Sequence, residues 1–252
     1  MSSAKTSAAS PVIAGVLVVS NDKVTIAQLS ESMAKLAMSP EICAEVPAAL
    51  GLLNSRKFEA VTVDFKLGTQ ATAIIEKIRL SPSNRTAVIF AISDSDSETA
   101  AAYKVGSNFV LRRPLSADSI DRNMKVAYGL IVRERRRYFR CPVEIPATIS
   151  RPDTEIRGNT VNISEGGIAI NTPVPLGPGI NVQVEFTLPG HKSGFVVGAA
   201  VCWCKDTYLG LQFTSLSPQV SSELQEWLAK RLEESLPSSV TDRFRNIENA
   251  PH

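Results

Sequence analysis

The chain is written in two different periods. From position 16 to about 112, short apolar runs alternate with amphipathic stretches: VLVVS, EICAEV, AVTVD, AVIFAIS and NFVLR read as strands. Between them, 24–37 carries Ile26, Leu29, Met33 and Leu36 at helical spacing, and further helical segments fall near 47–53, 70–80 and 97–105. Five strand–helix units with short connections predict a doubly wound parallel sheet, whose functional groups gather at the carboxyl ends of the strands. A longer helix is predicted from Ala117 to about Glu134, with Ser116 as its N-cap, Asp118 in its first turn and an apolar stripe of Ile120, Met124, Ala127 and Ile131. It runs into a cluster of arginines and is expected to link two domains.

After Cys141 the period becomes two. PVEIPATIS, RGNTVNIS, GIAIN, INVQVEFTL, GFVVGAAVCWC and YLGLQF are separated by Gly, Pro, Asn and Asp turn signals, which predicts a small antiparallel barrel of six strands. A last helix over 218–234 places Val220, Leu224, Trp227, Leu228 and Leu232 on one face, as a cover for the barrel. The division expected is a disordered tail at 1–14, an α/β domain with its linking helix at 15–132, an all-β domain at 133–235 and a polar tail at 236–252.

Composition narrows this picture. With 252 residues, 44% of them hydrophobic, 21% charged, and a net charge of +2, the chain suits two soluble domains and shows no global pull toward nucleic acid or acidic lipid. The apolar run at 12–19 is too short to span a bilayer and lacks the flanks of a secretion signal, so no membrane insertion is expected and a cytoplasmic setting fits. Four scattered cysteines are expected to be reduced; Cys202 and Cys204, two apart, should share one strand face and serve packing rather than zinc.

No catalytic constellation competes for attention. His191 and His252 are the only histidines, no Walker-type loop follows Gly166-Gly167, and no carboxylate cluster or other metal site stands out. The expectation is a non-enzyme that needs no cofactor.

The chemistry lies instead in two segments. Arg133, Arg135, Arg136, Arg137 and Arg140 fall within eight residues, with Tyr138 and Phe139 among them, a concentrated anion site. Arginine's planar fork donates paired hydrogen bonds to phosphate or to guanine O6 and N7, and its face stacks on bases. Alone, the cluster reads as a basic helix end. About two dozen residues later, Asn162 and Ser164 project from one face of a strand end, followed by Gly166 and Gly167, which permit positive φ and leave room for a flat ligand.

ERRRYFR, a strand, and then NISEGG together resemble the PilZ family, whose pattern is R-x-x-x-R followed by [D/N]-x-S-x-x-G on a six-stranded barrel. Arg136 and Arg140 fill the first motif; Asn162, Ser164 and Gly167 fill the second. GAAVCW and LGLQF resemble that family's closing strands, so the resemblance covers about 133–235. It implies a receptor for cyclic di-GMP, bound as a monomer or an intercalated dimer. A flexible arginine arm would wrap the ligand, with Asn162 and Ser164 on the barrel wall and Arg135 as an accessory phosphate ligand.

The first half resembles response-regulator receiver domains. Asp64 matches the phospho-acceptor, Ser93 the hydroxyl position, Phe109 the switch aromatic and Arg113-Pro114 the Lys-Pro pair. Ser20-Asn21 replaces the acidic pair that holds magnesium, which implies a degenerate receiver with Asp64 vestigial. The reading is a cyclic di-GMP effector that signals to a protein partner by reorienting the receiver-like domain. Partner identity and oligomeric state stay open. The alternatives are a response regulator with a basic output domain binding nucleic acid, not favoured because no helix-turn-helix or RNP-like motif is visible, and a PilZ-like scaffold that binds only proteins.

Overall fold

The computed structural model describes residues 14–36, 38–152 and 154–235. The two expected tails therefore lie outside the described residues, apart from Ala14 and its buried side chain. The described chain forms two compact units, which divide in sequence between Arg135 and Arg136.

The first unit alternates strand and helix: β1 (Gly15–Val19), α1 (Lys23–Lys35), β2 (Ser39–Cys43), α2 (Val46–Ser55), β3 (Ala60–Asp64), a 3-10 turn (Phe65–Leu67), α3 (Thr69–Leu80), β4 (Val88–Ser93), α4 (Asp96–Lys104), β5 (Phe109–Arg112) and α5 (Ala117–Tyr138). Its sheet is parallel in the order β2-β1-β3-β4-β5, the doubly wound order of receiver-like folds. Helices cover both faces, so β3 and β4 are buried at every residue and read as continuous apolar runs. Leu29, Met33, Ile120, Met124 and Ile131 pack on one face; Leu53, Ile74, Ile75 and Ile78 pack on the other.

In this unit most ends shift by one or two residues, and two differ by more. β2 starts at Ser39 and ends at Cys43, and Val46 belongs to α2, because Pro47 suits the first turn of a helix, where its missing N–H is not needed. α5 does not stop near Glu134 but continues to Tyr138, taking Arg133 through Arg137 into helix. No Gly or Pro interrupts this stretch, and arginine favours both helix interiors and helix C-termini. The arm expected to be flexible is therefore helical up to Tyr138.

The second unit is a closed antiparallel barrel. Six strands, β7 (Pro146–Arg151), β8 (Thr154–Ser164), β9 (Gly167–Asn171), β10 (Asn181–Phe186), β11 (Phe195–Lys205) and β12 (Tyr208–Ser215), run in the order β8-β7-β10-β11-β12-β9, and β8 pairs with β9 to close the ring. The two-residue β6 (Cys141–Pro142) adds to β8 beside Asn162 and Ile163. Alternation points Val182, Val184 and Phe186 of β10 inward with Ile149, Ile163, Ile170, Val197 and Leu209. α6 (Pro218–Glu234) adds Leu224, Trp227 and Leu228 to that core, and the Trp227 indole N–H donates to the Pro189 carbonyl at 3.2 Å.

Bulges shape the wall that matters. In β8 the register shifts between Thr160 and Asn162, and in β11 between Val201 and Trp203. A bulge re-aims the side chains around it. Cys202 is consequently exposed while Cys204 packs against the core, so the two thiols do not share a face as their spacing suggested. Trp203 stands half-exposed over Gly210, where a Cβ would meet its Nε1 at 2.0 Å.

Candidate functional site

The hairpin between β8 and β9 sets the floor of the site. Ser164 and Gly167 face each other across a turn of Glu165 and Gly166, and the Ser164 hydroxyl donates to the Gly167 carbonyl at 3.1 Å. The Gly166 carbonyl accepts from Phe213 N–H, which seats the turn on β12. Neither glycine adopts positive φ, contrary to the reason first given for them. At Gly167 the requirement is space: a Cβ would lie 2.2 Å from the Leu211 carbonyl oxygen. At Gly166 a Cβ would meet nothing within 4 Å, so the barrel itself does not demand glycine there.

Around this floor lies a pocket of about 580 Å³, bounded by Arg137, Tyr138, Arg140, Asn162, Ser164, Gly166, Gly167, Ala169, Cys202, Trp203, Gly210 and Gln212 among others. Trp203 lies over Gly210 and supplies an aromatic surface, Gly166 leaves open space at the turn, and Asn162, Ser164 and Arg140 line the pocket together. Arg137 and Arg140 are both exposed, and neither makes an ion pair within the described residues. Two guanidinium groups with no paired carboxylate, beside amide, hydroxyl and aromatic groups, can hydrogen-bond anionic oxygens and stack against flat rings.

The other arginines are placed elsewhere. Arg135, expected as an accessory ligand, belongs to the first unit, where it pairs at 3.4 Å with Glu59, a buried carboxylate that also accepts from Gly15 N–H. Glu134 beside it is buried too and takes Lys57 at 2.5 Å and the Thr86 hydroxyl, so the helix belongs to that unit up to its last three residues. Arg136 does not border the pocket; its Nη2 lies 3.6 Å from Glu233 of α6. Adjacent helical residues point about 100° apart, so once α5 is helical through Tyr138, Arg136 and Arg137 cannot face the same way. The sequence reading missed Arg137 because it took this stretch as an arm. The helix-favouring run without Gly or Pro was the signal that could have found it.

At the carboxyl end of the parallel sheet, Asp64 is fully buried at the end of β3. It accepts from Ser20 Oγ at 2.6 Å, from Arg113 Nη2 at 2.7 Å and from Lys66 N–H at 3.0 Å. Ser93 is buried and shares a 2.8 Å hydrogen bond with Thr99, and Phe109 stacks on Phe90 at 5.2 Å. Asp22 caps α1 and pairs with Lys66 at 2.7 Å, which lowers its pKa to about 2. Burial alone would pull the Arg113 guanidinium down, but the hydrogen bond and charge of Asp64 more than reverse this, with Asp94 and Asp22 adding to it, so its pKa is raised. The magnesium ion that a receiver fold implies does not fit these residues. Among the described residues no three His, Cys, Asp or Glu side chains converge to hold a metal.

No helix among the described residues is long and apolar enough to cross a membrane. No curated protein matches this chain. Solved structures similar to it include the receiver domain of sensor histidine kinase PA1611 from Pseudomonas aeruginosa PAO1, at 17% identity and TM-score 0.42 over 46% of this chain and 98% of that one. Another is the PilZ domain of CeSA from a cellulose synthesizing bacterium, at 19% identity and TM-score 0.32 over 36% of this chain and 96% of that one. The Bacillus subtilis inhibitor of motility (MotI/DgrA) matches at 21% identity and TM-score 0.34, over 38% of this chain and 50% of that one. Residues 134–230 are matched by the family model of the PilZ domain, so the barrel, the arginines that lead into it and most of the helix that covers it make up a PilZ domain.

Proposed function

We propose that the barrel pocket binds cyclic di-GMP and that the protein is an effector of this second messenger. The observation that carries the reading is the convergence of Arg137, Arg140, Asn162 and Ser164 on one pocket that Trp203 and Gly166 also border. Guanidinium forks pair with phosphate oxygens and with guanine O6 and N7, and a flat base can stack on the half-exposed Trp203 or enter beside Gly166, where a Cβ would meet nothing within 4 Å. Micromolar affinity corresponds to about −8 kcal/mol, and charge-assisted hydrogen bonds contribute roughly 1.5–3 kcal/mol each, so two arginines and two polar side chains suffice. Arg136 joins the ligand only by leaving Glu233, and Arg135 only by leaving Glu59, so the leading roles pass to Arg137 and Arg140.

The reading calls for no catalysis and no cofactor, and it places the protein in the cytoplasm. Its signal would pass to a protein partner through reorientation of the receiver-like unit. Isothermal titration with cyclic di-GMP, GMP and GTP is the test. Selective binding that collapses in Arg140→Ala supports the reading; equal binding of all three nucleotides, or an unaffected variant, removes it. Affinity that falls steeply with salt and extends to arbitrary DNA or RNA would instead indicate nucleic-acid binding.

A further inference from the structure

The first unit has the strand order of a phosphorylatable receiver, yet the centre of its carboxyl-end site is held by a side chain of its own. Arg113 donates to Asp64 at 2.7 Å and to the Thr25 hydroxyl at 3.1 Å, and it lies 3.7 Å from Asp22 and 3.5 Å from Asp94. Its backbone N–H donates to the Ser93 carbonyl at 2.9 Å. One residue thus touches β3, β4, α1 and the loop after β4, the elements that meet where a receiver takes metal and phosphoryl group. Ser20, where the receiver pattern has an acid, is fully buried and spends its hydroxyl on Asp64. Asp22, the remaining acid after β1, is occupied in capping α1 and pairing with Lys66. Both Asp64 oxygens are engaged, Oδ1 by Lys66 N–H and Oδ2 by Ser20 and Arg113, and the carboxylate is shut from solvent.

We propose that Arg113 is the resident cation of this site: its guanidinium supplies to Asp22, Asp64 and Asp94 the positive charge that a divalent ion supplies elsewhere, so the unit takes neither metal nor phosphoryl group and is insensitive to phosphodonors. The carboxylates need a central positive charge because like charges gathered around one point, partly buried, are poorly screened from one another. A guanidinium also fixes that charge in place with directed hydrogen bonds, which excludes the octahedral shell that magnesium demands.

The experiment uses the full chain. For the wild type, thermal unfolding is measured in metal-free buffer, with millimolar Mg2+, and with Mg2+ plus beryllofluoride, and intact mass is measured after acetyl phosphate with Mg2+. No shift in Tm and no mass gain are expected. Arg113→Ala should unfold at clearly lower temperature in metal-free buffer, and millimolar Mg2+ should restore part of the loss where Na+ of equal ionic strength does not. Arg113→Lys keeps the charge, so it should lie between the two and ignore Mg2+; with the wild type, it decides the question even if Arg113→Ala does not fold. A Mg2+ response or a phosphoryl mass gain in the wild type overturns the proposal, as does a Mg2+ response in Arg113→Lys. An Arg113→Ala protein as stable as the wild type, or destabilised without Mg2+ rescue, also overturns it, the latter by reducing Arg113 to a hydrogen-bonding strut.

Discussion

The two charged centres of this protein are built from the same groups, arginine and polar side chains at strand ends, and have opposite characters. At the carboxyl end of the parallel sheet, Arg113 is only 13% exposed and has Asp64, Asp22 and Asp94 within 4 Å. At the barrel, Arg137 and Arg140 stand exposed beside an open pocket, with no carboxylate paired to either among the described residues. A centre whose charges are matched from within resists ligands, because any newcomer must displace a partner that is already in place. A centre whose charges are matched only by water holds binding energy in reserve. On the proposed reading, the receiver-like site therefore serves structure and the barrel site ligand binding.

The sharpest test of that contrast removes the unmatched charges. Arg137→Ala with Arg140→Ala should cost cyclic di-GMP at least about a hundredfold in affinity, since each loses charge-assisted bonds of roughly 1.5–3 kcal/mol. Unfolding should barely change, by about 0.5 kcal/mol or less, because both side chains are exposed. Calorimetric titration and urea unfolding of the same preparations measure the two sides; a stability loss as large as the affinity loss would erase the contrast.

The reciprocal change should act the other way. Asp64→Ala leaves the largely buried Arg113 without its nearest partner, and removing one member of a buried pair typically costs about 3–5 kcal/mol. The urea midpoint should fall accordingly, while the folded fraction keeps the ligand affinity of the wild type.

Within the barrel, the two glycines separate fold from site. Gly167→Ala drives a Cβ toward the Leu211 carbonyl and should destabilise by about 1–3 kcal/mol, whereas Gly166→Ala should leave the urea midpoint in place. A smaller effect, several-fold in affinity, is expected for Asn162→Ala. Ser164→Ala should lose somewhat less, because its hydroxyl is already committed to the Gly167 carbonyl.

The least effect belongs to pH. Asp22 is held at about 2 in the folded protein by Lys66 and by the amides at the start of α1, against an ordinary 3.8. A depressed carboxylate contributes stability that is fully present above its unfolded value and disappears as pH falls through its folded one. The contribution should fade between about pH 4 and pH 2, and Asp22→Asn should flatten only that part of a thermal-unfolding profile.

Several features could be read directly from residues. The strand AVTVD was placed without error, since a short apolar run bounded by turns has few alternatives. The helix over 218–234 is likewise legible from its apolar stripe of Val220, Leu224, Trp227, Leu228 and Leu232. Asn162, Ser164 and Arg140 were legible because their spacing places them on a strand end and beside its neighbour. Arg137 was not, because choosing between adjacent arginines requires knowing that the helix continues to Tyr138. Of the two reasons the sequence offers for the glycines, positive φ does not apply; Gly166 does leave open space, whereas Gly167 answers to a neighbouring carbonyl, which no local pattern reveals.

The sequence by itself determined the change of period from helix-and-strand to alternating strand, and with it the two folds, because each periodicity reports which face of an element is buried. It also marked out the two segments, 133–140 and 162–167, from which the pocket draws its candidate polar side chains. Tertiary structure alone decided which charges meet: that Arg113 closes on Asp64, 49 positions away, that Arg135 is spent on Glu59 and Arg136 on Glu233, and that Arg137 and Arg140 are left facing the pocket. Burial is a local average along the chain, whereas charge pairing depends on distances of a few ångströms between residues remote in sequence, and only the folded chain sets those distances.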